Sequence, residues 1–191
     1  VTARPTGAEV RGPSTTTLAL ETARRATATS CLALAALALA TLDQLRRWEA
    51  ALGAVVVGWV LGEGVERPSS SLLSYPVDSG RFRSLDITWQ ASSAVVVVPI
   101  LVVVALACLH PAARPGALAL RATVGVVLIV TSNQLRFVVI ALATARWGDD
   151  GFQVAQQLVG SGLVLLAFGV AVAGVLRARR VPTVQGASRP H

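Results

Sequence analysis

The stretch ATVGVVLIVTSNQLRFVVIALATARWGDDGFQVAQQLVGSGLVLLAFGVAVAGVL, residues 122–176, decides the fold class. It holds two long apolar runs, 122–147 and 152–176, separated by the turn-forming RWGDDG of 146–151. Each run exceeds the roughly 20 residues that an α-helix needs to cross a bilayer. Asn133, Gln134 and Arg136 interrupt the first run, and Gln153, Gln156 and Gln157 stand near the start of the second.

Upstream, ASSAVVVVPILVVVALACL (91–109) reads as a further span. Its internal Pro99 is tolerable in a membrane helix, whose freed carbonyl finds partners on neighbouring helices. Residues 26–42 are marginally long for a span, 43–49 (DQLRRWE) read as a short polar turn, and 50–62 are apolar but short. The polar stretch 63–90, with Pro68, Pro76 and Gly80 among serines, reads as a sizeable loop. Residues 110–121 form a short basic connection. Residues 1–25 read as a flexible polar tail, 26–176 as the helical membrane domain and 177–191 as a cytoplasmic basic tail. The expectation is an all-α, polytopic transmembrane bundle of about four to five spans, a multi-pass protein whose first partner is the lipid bilayer.

Composition supports this class and excludes others. The 191 residues are 53% hydrophobic and 14% charged, with a mean hydropathy of +0.63. Soluble domains carry roughly 25% charged residues. All 17 basic residues are arginine, against 10 acids, for a formal charge of +7. On a soluble chain that excess would suggest nucleic acid. Here the arginines flank apolar runs, as membrane topology requires, so no nucleic acid is expected. The lysine-free, Ala- and Val-rich composition points to a GC-rich bacterial genome. Cys31 and Cys108 lie inside apolar runs and the histidines are His110 and His191 alone, so neither a metal site nor a cofactor is expected. Arg114, Arg121 and the arginines at 177–180 place two connections in the cytoplasm, with 63–90 and the WGDDG turn outside. Charge alone leaves open whether both 26–42 and 50–62 cross, or one lies at the interface with the N-terminus inside.

Arg136 is the most informative residue. An arginine at the centre of a span costs roughly 2.5–3.5 kcal/mol on insertion scales and normally faces protein or a water-lined cavity. Counted from Ala122 at about 1.5 Å per residue, Arg136 lies about 21 Å into a core of about 30 Å, in its outer third. Asn133 shares its helix face. Ser92 and Ser93 at one helix start, and Gln156 and Gln157 at another, sit at the same outer level. Interhelical hydrogen bonding would account for the serines and glutamines alone; converging with an arginine, the set reads as a site.

The order of these motifs — a polar outer loop, TWQASSAVVVVPIL at a helix start, a basic turn, NQLRFVVIALATARWG, and a helix opening QVAQQLVGS — resembles the exosortase/archaeosortase family of membrane-embedded cysteine transpeptidases. The resemblance covers about residues 43–176, RRWEAALG included, and Asn133-x-x-Arg136 is its specific part. It implies a site of Cys, Arg and His that processes carboxy-terminal sorting tails of exported proteins. The family Cys position is occupied by Ala91 and the family His position by Gln156, while Arg136 remains. Alanine carries no nucleophile and glutamine takes up no proton near neutral pH. The implied protein is a degenerate transpeptidase, or pseudoenzyme, that binds an apolar sorting tail or a membrane partner through Arg136, Asn133, Ser92 and Ser93. Two alternatives stand beside it. One is an active transpeptidase or protease using Ser92 or Ser93, with only Asp86, Asp149 and Asp150 as candidate bases. The other is an unrelated small membrane subunit whose Arg136 pairs with a partner's carboxylate.

Overall fold

Alanine and leucine, strong helix formers, recur throughout the chain, and a helix satisfies the backbone hydrogen bonds of its interior within its own segment. The computed structural model describes residues 15–62, 65–66, 72–78 and 81–178, and is mostly helical over them. In chain order come α1 (Thr15–Ala40), α2 (Leu42–Leu61), strands β1 (Leu72–Asp78) and β2 (Arg81–Asp86), α3 (Ser93–Cys108), α4 (Pro115–Val154) and α5 (Ser161–Ala178). A single 3₁₀ turn, Trp89–Ala91, leads into α3, and a π-helical turn, Ala155–Gly160, joins α4 to α5.

Among the described residues, the helical run Pro115–Ala178 is long and apolar enough to cross a membrane. It is not straight. Gly148 has φ 62° and ψ −139°, a conformation open essentially to glycine, and the chain reverses there. Beyond the turn, Gly160 lies against Arg136, Gly125 against Ala171, and Arg121 donates to the Gly174 carbonyl at 3.0 Å. Positions farther back along α4 thus meet positions farther on along α5, so the two arms are antiparallel. The expected turn at 146–151 is where the reversal occurs.

Other boundaries differ from expectation. Residues 15–25, expected in the polar tail, are the first turns of α1. Their Leu, Ala, Glu and Arg are good helix formers; Glu21 pairs with Arg25 one turn on, and the Arg24 Nε donates to the Ala113 carbonyl at 3.0 Å. Residues 43–49, expected as a turn, open α2; the chain bends by 79° between α1 and α2. The 63–90 stretch is not only loop. In it β1 and β2 pair antiparallel, with Leu73 opposite Leu85 and Tyr75 opposite Arg83. Alternation drives this pairing: Leu73, Tyr75, Leu85 and Ile87 are buried on one side while Phe82 and Ser84 are exposed. Pro76 stands beside a register shift, where a missing N–H is tolerated. Arg177 belongs to α5; the tails at 1–14 and 179–191 lie outside the described residues.

The buried side chains form two cores. One joins Ala28, Cys31 and Ala35 of α1 to Ile100 and Val104 of α3, Ile129 of α4 and Ala171 of α5. The other joins Val57 of α2 to Leu73 and Tyr75 of the hairpin and Phe137 and Ile140 of α4. The second core sits at the Gly148 end. There the Tyr75 hydroxyl donates to Thr144 Oγ1 at 3.2 Å, and Arg83 pairs with Asp149 and stacks over Phe152, 4.3 Å from the ring centre. Arg24, Arg25, Arg114, Arg121 and Arg177 gather at the opposite end, with Glu21 as the acid among them. The Gly148 end is richer in acids, namely Asp43, Glu49, Glu66, Asp78, Asp86, Asp149 and Asp150, beside Arg46, Arg47, Arg81, Arg83 and Arg146.

Candidate functional site

The site lies where the two cores meet. Asn133 and Arg136 stand three residues apart on α4, hence on one face. Asn133 is fully buried, and its Nδ2 donates to the Ala91 carbonyl at 3.1 Å. That bond ties the 3₁₀ turn before α3 to the middle of α4, so Ala91 is held beside Arg136.

Ser92 and Ser93 are both buried, and both are engaged at the start of α3. Ser92 is the N-cap: its Oγ accepts from the Ala94 N–H at 3.3 Å. Ser93 gives its N–H to Glu49 Oε1 at 2.9 Å, and its hydroxyl donates to the same oxygen. A carboxylate at a helix N-terminus satisfies otherwise orphan N–H groups and complements the helix dipole. Glu49 therefore fastens α2 to α3. This corrects the expectation that only Asp86, Asp149 and Asp150 stand near the serines. The signal for Glu49 was present: it shares a helix face with Gly53 and Val57, the buried side of α2, inside the RRWEAALG already noted. Gln134, one residue from Asn133, is also buried; neither its Oε1 nor its Nε2 has a hydrogen-bond partner among the described residues.

Arg136 is half-buried and forms no ion pair among the described residues; its Nε is buried without a hydrogen-bond partner. Space for it comes from Gly160. A Cβ at that position would stand 2.7 Å from Nε and 3.4 Å from Cδ, closer than ordinary packing allows. The π turn Ala155–Gly160 is wider than an α turn, a feature frequent at functional sites. It delivers Gln156 and Ser161 to the side of α4 that carries Arg136.

The result is a cavity of about 290 Å³ lined by Ala91, Arg136 and Gln156 together with Asp86, Thr88 and Ser161. The three positions singled out by the family resemblance thus face one space, with Asn133 bracing it. Ser92 and Ser93 are not among its lining residues. Asp86 stands 3.9 Å from the Arg46 guanidinium, which also donates to the Ile87 carbonyl at 2.7 Å; this fixes the strand end that forms one wall. Among the described residues, neither cysteine nor histidine lines the cavity. Its chemistry is one guanidinium with free donor capacity, the two amides of Gln90 and Gln156, two hydroxyls and one carboxylate. Such a set suits recognition of a carboxylate or peptide carbonyl, and it cannot perform thiolate–imidazole chemistry.

Comparison with protein-family models, with curated proteins and with solved structures finds no match to this chain.

Proposed function

We propose that this chain is a multi-pass membrane protein of exosortase/archaeosortase type that has lost its catalytic pair and retains a binding site centred on Arg136. The observation that carries the reading is the convergence of Ala91, Arg136 and Gln156 on one cavity from three separate elements. Antiparallel packing of α4 and α5 and the apolar α3 support several crossings, and Arg114, Arg121 and Arg177 beside the short connection at one end support placing that end in the cytoplasm. Arg24 at that end, beside Ala113, supports the start of α1 on the same side.

Its ligand is the carboxylate or an extended carbonyl of an exported protein's apolar carboxy-terminal tail, or the equivalent group of a membrane partner. A guanidinium fork in a partly desolvated cavity binds such a group bidentately. Arg136→Leu leaves the partner's group buried and unpaired, costing about 2–5 kcal/mol of binding. Arg136→Lys keeps the charge, loses the fork, and rescues in part. Co-purification of partners from membranes carrying wild type, Arg136→Lys or Arg136→Leu at matched expression tests this. Full retention of every partner by Arg136→Leu refutes it.

A second reading has one observation in its favour. Glu49 accepts from the Ser93 hydroxyl, so a serine with an adjacent carboxylate exists after all. The same carboxylate also holds the Ser93 N–H, which favours a capping role. Peptide processing that is abolished in Ser93→Ala, with fold intact, would select the serine enzyme instead.

A further inference from the structure

We infer that α2 is not a span but lies in the plane of the outer lipid–water interface, turning Trp48, Leu52, Val55 and Trp59 toward the lipid of that leaflet. This rests on the multi-pass reading above. Three independent observations lead to it.

The first is direction. α1 has 26 residues, about 39 Å at 1.5 Å each, and packs lengthwise against α3. A bend of 79° after Ala40 therefore turns α2 nearly across the bundle, at the end away from Arg24 and Ala113.

The second is the pattern of burial along α2. Glu49, Ala50, Gly53 and Val57 are buried against the start of α3, the hairpin and α4, where a Cβ on Gly53 would come within 3.1 Å of Phe137. The opposite face is apolar yet exposed, with Trp59 at 84% and Trp48 at 67%. Positions 48, 52, 55 and 59 follow helical spacing, so this is one continuous stripe. Only its first two turns, with Asp43, Gln44 and Arg47, carry exposed polar side chains.

The third is where tryptophan occurs. All four tryptophans of the chain, Trp48, Trp59, Trp89 and Trp147, are exposed and belong to the Gly148 end. Tryptophan concentrates at the headgroup level, where its ring is apolar and its N–H stays hydrated. A helix lying at that level with two tryptophans on its lipid side marks the outer boundary of the membrane.

Single-tryptophan variants, with the others changed to phenylalanine, reconstituted in vesicles of phosphatidylcholine and phosphatidylglycerol provide the test. Acyl chains are brominated either near the headgroup or near the chain end. Trp48 and Trp59 should lose most of their emission with shallow bromines and little with deep ones. A tryptophan introduced as Val170→Trp, on the exposed face of α5, should show the reverse. Preferential deep quenching of Trp59 would make α2 a span and overturn the inference alone. No quenching of Trp48 and Trp59 while position 170 is quenched would mean that protein covers the face; disulfide crosslinking of Leu52→Cys between copies would then identify a second copy as the cover. No quenching at position 170 would overturn the membrane reading itself.

Discussion

Gly160 and Arg136 show how a single missing methyl sets a binding site. Because a Cβ at 160 would press on the Arg136 Nε, Gly160→Ala forces the guanidinium out of its place against α5. The atoms it displaces belong to the outer part of a flexible side chain, so the fold yields there at little cost. Partner capture should therefore fall toward the Arg136→Leu level while circular dichroism stays helical, as co-purification and spectra of the same membranes would show. Tyr75 offers a second test. Burial pushes its phenol above the usual tyrosine range. The folded state thus holds that proton to higher pH than the unfolded state does. Its contribution to hairpin docking is complete below the unfolded tyrosine's pKa of about 10 and declines as pH rises beyond it. Tyr75→Phe removes the hydrogen bond to Thr144, costs about 0.5–1.5 kcal/mol, and should flatten the alkaline loss of stability in a thermal melt followed across that pH range.

The decisive element is the reversal between α4 and α5. Its one unusual backbone position is Gly148, where any side chain is strained by about 1–3 kcal/mol. Gly148→Ala should lower the melting temperature in detergent and raise proteolysis at 146–151, with the rest of the bundle intact. This element was legible: RWGDDG between two apolar runs states its own turn. α2 was not, because apolar periodicity cannot distinguish a short span from a helix laid across the bundle; the angle is set by packing of Gly53 on Phe137, which no local pattern encodes. The hairpin was missed for a related reason. Leu73, Tyr75, Leu85 and Ile87 alternate correctly, but prolines and serines around them read as turn chemistry, and only the partner surface of α4 makes the alternation meaningful. Of the site, the convergence of Ala91, Arg136 and Gln156 could be anticipated from depth along each helix. Glu49 could not be assigned a partner, since its contact with Ser93 is long-range and depends on that same crossing of α2.

Across the whole molecule, charge and length are distributed unequally. The end that carries Arg114 and Arg121 and the Gly148 end should lie on opposite sides of the membrane. In a background of Cys31→Ala and Cys108→Ala, Asp150→Cys should react with an impermeant thiol reagent in intact cells, and Ala112→Cys only after permeabilisation. Reaction of both in intact cells would dissolve the common outer level on which the site stands. The helices also differ in height. α3 has 16 residues, about 24 Å, and its start is tied through Ala91 to Asn133, whereas α4 continues past that level to the Gly148 turn. On the multi-pass reading proposed above, a bilayer core of about 30 Å is too thick for so short a helix, and thinning of the lipid beside it is one way to match. On that same reading the water boundary is drawn down toward Arg136, so that the terminal carboxylate of an apolar tail would descend a shallow funnel to reach the arginine and would never have to enter oil.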